Sequence, residues 1–319
     1  MINNVRQRLE NLRLPLFAAP MFLISGPDLV INACKAGVVG AFPTPNCRTT
    51  QDLENWLAQI DGVLNNIDDP LAAGYAPYAA NLFAHRTNQR LGDDLEIVVR
   101  YKVPIVITAL GSPAKVIDAV HAYGGLVFAD VSSVRYAKKA ADAGADGLVL
   151  VCSGAGGHTG SLNPFSFIHE VREFWDGYIA LAGGISSGTG ILSAMVAGAD
   201  FAYMGTSFIA TDESLAEPEY KQMVLGCTAE DLVVTKAFTG ANASMMIPSI
   251  VNQGLDPKEV VKQEAKMNFN GQDGSDVKPW KGIWAAGQGV GCIDEVLSTT
   301  NLVDRLESEY LQAKRNTKI

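Results

Sequence analysis

The sequence is short of positive charge, of cysteine and of long apolar runs, and each shortage excludes something. Across 319 residues, 25 Lys and Arg face 34 Asp and Glu, a formal charge of −9. An acidic chain repels nucleic acid and anionic membrane surfaces. The Lys314-Arg315 pair near the end of the chain is too short to change that. Five cysteines (Cys34, Cys47, Cys152, Cys227 and Cys292) are widely spaced, odd in number and without a CxxC. A disulfide framework and a structural zinc site are therefore not expected, and a reducing cytoplasm fits. No apolar run approaches the roughly 20 residues of a membrane span. The first residues, MINNVRQRLENLRL, lack the apolar core of a signal peptide. His, Asp and Glu show no metal-ligand spacing, so no metal is expected.

What remains is a well-packed globular composition, 48% hydrophobic with 31 glycines. One pattern recurs: a short apolar run, a turn, an amphipathic alanine-bearing stretch, then a Gly turn. Eight such runs predict strands near Leu14–Ala18, Val38–Phe42, Tyr78–Asn81, Ile105–Ile107, Leu126–Ala129, Gly147–Val151, Ile179–Leu181 and Phe201–Met204. Short apolar strands alternating with helices are parallel strands covered on both faces. The phrase Ala-Gly-Ala-Asp occurs at 143–146 and again at 197–200, each time between a helix and a strand. Eight units predict a closed (β/α)8 TIM barrel of the α/β class. The alternative, a doubly wound open sheet, calls for a glycine fingerprint after the first strand, and Ala18-Ala-Pro-Met-Phe-Leu is not one. The alternation stops near Thr211. Residues 212–278 carry helical stretches (Glu217–Leu225, Ala229–Leu232, Pro257–Glu264) and a turn-rich Asn270–Gly274. This predicts a small helical second domain over the mouth of a barrel formed by residues 1–211 and 279–319. Residues 290–313 form its closing helix.

Functional residues of such barrels follow the C-terminal ends of the strands. The seventh end reads Leu181-Ala-Gly-Gly-Ile-Ser-Ser-Gly188 and the eighth Met204-Gly-Thr-Ser-Phe208. Gly183 and Gly184 let backbone approach a ligand, and Gly205 and Thr206 offer N–H groups. Together they read as a phosphate site built from backbone dipoles. The sixth end, Val151-Cys-Ser-Gly-Ala-Gly-Gly-His-Thr-Gly160, surrounds one histidine with glycines. His158 can project beside a flat ligand and move a proton near neutral pH. His85, His121 and His169 read as structural. Asn81 can bond the edge of a polar ring. Asp130 either faces the cofactor or caps the helix beginning near Ser132. Cys152 reads as a packing residue.

Ala19-Pro-Met21, Ala155-Gly-Gly-His-Thr-Gly160, Ala182-Gly-Gly-Ile185, Met204-Gly-Thr206 and Ala286-Gly-Gln-Gly289 occur in that order. Together they resemble the nitronate monooxygenases, formerly called 2-nitropropane dioxygenases, over nearly the whole chain. The resemblance implies an FMN-binding TIM barrel with a helical second domain. It places Ala19 and Met21 by the flavin ring, Asn81 on the ring or ribityl chain, and Gly183, Gly184, Gly205 and Thr206 on the phosphate. Gln288 approaches from the closing segment. Asp130 and Gly157 join the cofactor-binding set, and His158 matches the active-site histidine. The implied partners are a small substrate and O2, or NAD(P)H, with a homodimer allowed for.

Two departures bear on the substrate. Many relatives carry an arginine where this chain has Thr159. Ala237-Phe-Thr-Gly-Ala-Asn-Ala243 resembles the family motif FTGRPAR without its arginines, leaving Asn242 and Ser244 in that neighbourhood. An arginine there would pair with an anion, so its loss argues against a carboxylated nitronate. NADH:quinone reductases and flavin-dependent enoyl-acyl-carrier-protein reductases share the fold and the glycine loops. They supply the alternative activity, NAD(P)H-dependent reduction of quinones or enoyl thioesters.

Overall fold

A computed structural model describes residues 5–65, 70, 72–265 and 282–317. Its strands are β1 (Leu16–Ala18), β2 (Val39–Pro43), β3 (Ala79–Phe83), β4 (Ile105–Ala109), β5 (Leu126–Val131), β6 (Gly147–Val151), β7 (Gly157–His158), β8 (Tyr178–Ala182), β9 (Phe201–Met204), β10 (Leu232–Thr235) and β11 (Ala243–Met246). All except β7, β10 and β11 close into one parallel barrel, β1 pairing with both β2 and β9. The eight strands expected from the apolar runs are these eight, with ends shifted by one or two residues. β7 is a two-residue strand inside the glycine loop that follows β6.

Residues alternate between the barrel interior and the surrounding helices, as the two-residue period of a strand requires. Phe17, Val39, Ala79, Ile105, Phe128, Val149, Ala180 and Phe201 fill the interior. The Phe17 ring lies 5.5 Å from that of Phe128, 5.2 Å from Phe201 and 6.1 Å from Tyr203. This aromatic plug closes the barrel, so it has a floor and is not a pore. Below it, the helix Val5–Glu10 buries Val5 and Leu9 against the N-terminal ends of the strands.

The repeated Ala-Gly-Ala-Asp has a physical reason. Asp146 N–H donates to Val127 O (2.8 Å), and its carboxylate accepts from Val127 N (2.9 Å) and His121 Nε2 (2.7 Å). Asp200 repeats this one layer on, with Ile179 O, Ile179 N and Arg172 Nη2. Each aspartate thus ties the start of its own strand to its neighbour and satisfies a strand-end amide. Asp146 is the more enclosed of the two. Asp146→Ala therefore costs roughly 2 kcal/mol, as expected for hydrogen bonds to a charged acceptor. Urea denaturation measures this, and Asp146→Asn, which keeps an acceptor oxygen, loses less.

The segment after β9 departs from the helical reading. It contains the helix Pro218–Gly226 and short helical turns, including Pro257–Val260, where a longer helix to Glu264 was expected. It also contains β10 and β11, which make an antiparallel sheet with β7. The Val233-Val234-Thr235 run is β-branched and suits a strand. β11 is four residues, paired on one side with the nearby β10 and on the other with the distant β7. Asn270–Gly274 and the expected boundary near 278 lie outside the described residues. The helix Thr299–Asn316 packs beside the helices Gly188–Val196 and Pro27–Lys35, where the eighth outer helix of a barrel belongs. At Gly188 any Cβ would collide with the carbonyl of Leu306, which is why the two helices approach so closely there. No helix among the described residues is long and apolar enough to cross a membrane.

Candidate active site at the barrel mouth

At the C-terminal ends of the strands the interior opens. Phe128, Val149, Ala180 and Phe201 are buried, whereas Asp130, Val151 and Tyr203, two residues further along their strands, keep part of their surface open. Asn81 on β3 belongs to the same inward set and is 2% exposed.

Several loops around this opening are tied to one another. In the first loop Ser25 Oγ accepts from Met21 N (2.9 Å), and Asn46 Nδ2 donates to the carbonyls of Met21 (3.1 Å) and Ser25 (2.9 Å). Asn46 Oδ1 accepts from Leu23 N (2.8 Å), and Leu23 has φ +61, a strained value for a leucine. One asparagine on a 3-10 turn after β2 thus holds Ala19-Pro20-Met21 in shape. Nothing in the sequence around Asn46 announced this, because its partners are backbone groups more than twenty residues away.

The glycine loop after β6 folds back on Cys152. The Cys152 carbonyl accepts from Thr159 Oγ1 (3.1 Å) and Gly160 N (3.3 Å). The loop tip pairs with β11, Gly157 opposite Ser244 and His158 opposite Ala243. Thr159 N donates to Asn242 O at 2.9 Å. Thr159 and the Ala237–Ala243 phrase, the two places where the sequence departs from the family pattern it resembles, are therefore neighbours, and Thr159 and Asn242 are both neutral. Thr159 is buried with its hydroxyl turned onto backbone.

The Gly154 carbonyl is a junction. It accepts from Gly184 N (3.1 Å) in the loop after β8 and from Gln288 N (2.9 Å) in the closing segment. Gly154 has φ +85, and a Cβ there would lie 2.9 Å from Gln288 Oε1. Gly287 N donates to Thr206 Oγ1 at 2.9 Å, joining the same segment to the loop after β9. Ser244 Oγ donates to Ala286 O at 2.8 Å. Gln288 is thus brought to the glycine loops. The Gly184 amide, expected to face an anion, is instead committed to Gly154. Gly183, with φ +139, passes close to the Ser153 carbonyl, while the Cα of Gly184 faces open space. Thr206 and Ser207 begin a short helix, so their amides have no carbonyl one turn earlier to bond. Gly205 lies against Met21 and Ala19, which brings the first and last barrel loops together.

Electrostatics follow from burial. The His158 ring is largely enclosed and its Nε2 is shut off from solvent, which lowers its pKa and keeps the imidazole neutral. Burial pushes Asp130 up to about 7. Asp130 does not cap the following helix: Ser133 does, accepting from Tyr136 N. Burial also pushes the Cys152 thiol up to about 12, as suits a packing residue. The other histidines lie away from the opening or bond locally, His121 to Asp146 and His85 to Thr87; His169 is exposed on a helix. Tyr203 was missed in the sequence, where it reads as one more apolar strand residue. Ser244 was named in the sequence, but its strand was not foreseen.

Comparison with known proteins bears on the family and the fold. The chain is 27% identical over 276 residues to a probable nitronate monooxygenase of Staphylococcus haemolyticus, covering 76% of this chain and 77% of the relative. It is 25% identical over 238 residues to the (3aS,4S,5R,7aS)-5-hydroxy-7a-methyl-1-oxo-octahydro-1H-indene-4-carboxyl-CoA dehydrogenase of Rhodococcus jostii. That match covers 75% of this chain but only 64% of the Rhodococcus protein. In fold it is similar to nitroalkane oxidase from Streptomyces ansochromogenes, with TM-score 0.77, 23% identity and coverage of 96% of this chain and 98% of that one. It is likewise similar to FabK from Thermotoga maritima, with TM-score 0.77, 22% identity and coverage of 98% and 96%. The family profile described as nitronate monooxygenase matches residues 4–309, so the chain, an (β/α)8-barrel oxidoreductase, belongs to the nitronate monooxygenase family.

Proposed function

We propose that this protein is an FMN-dependent oxidoreductase that oxidises alkyl nitronates with O2. The observation that carries the reading is the convergence of a neutral, enclosed His158 with the glycine loops after β6, β8 and β9 and the Gly287-Gln288 turn, all stitched together at one barrel mouth.

The residues present fit the cofactor. Gly205, Thr206 and Gly183 would hold the phosphate through backbone, and Gly184 would contribute its open Cα face instead of its amide. Ala19 and Met21 would line the ring, held by Asn46. Asn81, Asp130, Gly157 and Gln288 would supply polar or close backbone contacts. FMN, when bound, supplies the redox chemistry, and the protein supplies position and electrostatics. His158 would orient the substrate as a neutral hydrogen-bonding group, its backbone fixed by pairing with Ala243. The described part of the segment after β9, residues 212–265, would cover the mouth and exclude water.

A visible spectrum of the purified protein tests the cofactor: a flavin spectrum, or its appearance on adding FMN, supports the reading. A protein that stays colourless and takes up no FMN defeats it. Asn46→Ala releases three backbone groups of the first loop and should raise the FMN Kd about tenfold, read by quenching of flavin fluorescence. An unchanged Kd would separate that loop from the cofactor.

One observation favours a second reading. The mouth lacks arginine at both Thr159 and Asn242, so a carboxylated substrate has no cation at either position. NAD(P)H-dependent reduction of a quinone or an enoyl thioester makes no such demand. Mixing the FMN-loaded protein with NADH or NADPH without oxygen discriminates: rapid bleaching supports reduction by nicotinamide, and no bleaching supports nitronate oxidation.

A further inference from the structure

Two polar atoms below the mouth have no hydrogen-bond partner among the described residues: Asp130 Oδ1 on β5 and the Tyr203 hydroxyl on β9. Both atoms are closed off from solvent, while both residues keep some surface open towards the mouth. Both point into the barrel, just above the Phe17–Phe128–Phe201 plug. Buried polar groups are almost always satisfied. Unsatisfied ones mark places where water, an ion or a ligand completes the set.

Among the described residues no cation bears on Asp130. Its neighbours on β4 and β6 include Thr108, Ala109, Val149 and Val151, none of them ionisable. The ionisable group that bears on it is Tyr203, whose phenol is pushed up by burial and by the Asp130 charge. The other titratable group of the mouth is His158, which burial keeps neutral. With burial pushing the Asp130 carboxyl up to about 7, the pair presents two neutral O–H groups below neutral pH. Neutral acids in an apolar site are suited to donate to an oxygen that carries or gains negative charge.

We propose that Asp130, as a carboxylic acid, and Tyr203, as a phenol, donate together to one oxygen of a planar ligand seated on the barrel floor. The oxygen is of the carbonyl, enolate or nitro type and bears negative charge. The proposal deepens the flavin reading and rests on it for the ligand's source: the oxygen belongs either to the flavin ring or to a substrate stacked on that ring. Neither residue transfers a proton in this role; both lower the cost of charge on the bound oxygen.

The test compares the full-length protein with Asp130→Asn, Asp130→Ala and Tyr203→Phe on both sides of neutral pH. Two affinities are measured: that for FMN, and that of the FMN-loaded protein for dinitrophenolate, a planar oxyanion that stays ionised throughout. In the wild type one of the two affinities should fall about tenfold as pH rises past about 7. Asp130→Asn, which donates at every pH, should hold its affinity and flatten the profile. Asp130→Ala should lose about tenfold below neutral pH, and Tyr203→Phe several-fold. A pH dependence in FMN affinity assigns the oxygen to the flavin. One confined to dinitrophenolate assigns it to the substrate. An infrared pH titration supplies a readout independent of ligands, a protonated-carboxyl band that titrates near neutrality and is absent from Asp130→Asn. A wild-type protein without that band, or with both affinities flat, overturns the proposal. A protein that binds no FMN defeats the flavin reading, and the dinitrophenolate profile of the FMN-free protein then still decides the role of Asp130.

Discussion

His158→Asn should retain FMN and lose roughly a hundredfold or more in turnover on an alkyl nitronate. The backbone of residue 158 is held by its pairing with Ala243, and the loop that carries it is closed by the Cys152 carbonyl. Neither restraint involves the imidazole. Asparagine therefore leaves these backbone restraints of the glycine loop in place and removes the imidazole. Steady-state kinetics measure the turnover, and an absorbance titration measures the cofactor. If FMN is lost along with activity, His158 is a cofactor-binding residue. If turnover is unchanged, the imidazole has no part in the reaction.

Asp130→Asn should make the protein more stable above neutral pH and change it little in acid. The Asp130 carboxyl sits at about 7 in the folded chain against an ordinary 3.8. The native state thus prefers the protonated form more than the unfolded chain does. Between about pH 4 and about pH 7 the unfolded chain gives up this proton while the folded chain keeps it, and native stability falls across that window. The full difference corresponds to roughly 4 kcal/mol. His158 works in the opposite sense: its folded pKa is lowered, so its contribution to stability is lost as pH falls below the ordinary histidine value of 6.5. Urea denaturation at a series of pH values reads both. A variant whose stability follows the same pH slope as the parent would show that Asp130 is ionised normally in the folded protein.

The barrel was legible because its signal is local and repeated. Apolar runs such as Ile105-Val106-Ile107 and Gly147–Val151 mark strands by themselves, and the duplicated Ala-Gly-Ala-Asp marks helix-to-strand joins that a strand-end amide demands. His158 drew attention because a histidine among glycines stands out in the sequence, and the structure sets it on the loop tip that pairs with β11. Other features depend on distant partners. β11 is a strand because β7 and β10 present edges to it, and the four residues Ala243–Met246 carry no such information alone. The commitment of the Gly184 amide to Gly154 and the brace made by Asn46 are backbone contacts between loops that are remote in sequence. Asp130 looked like a helix cap by position, yet the inward turn of a β-strand side chain sends it into the barrel, and Ser133 takes the cap.

The outer helix belonging to β9 is Thr299–Asn316, and the helix Pro218–Gly226 and the strands β10 and β11 are spliced between the two. During synthesis the barrel's eighth unit therefore stays unfinished until the chain has emerged past residue 316. The groove between the helices Gly188–Val196 and Pro27–Lys35 is bare of its partner until then. A nascent chain stalled before residue 299 would show that greasy seam to chaperones, and assembly would wait on a contact of long sequence separation, a slow class of folding event.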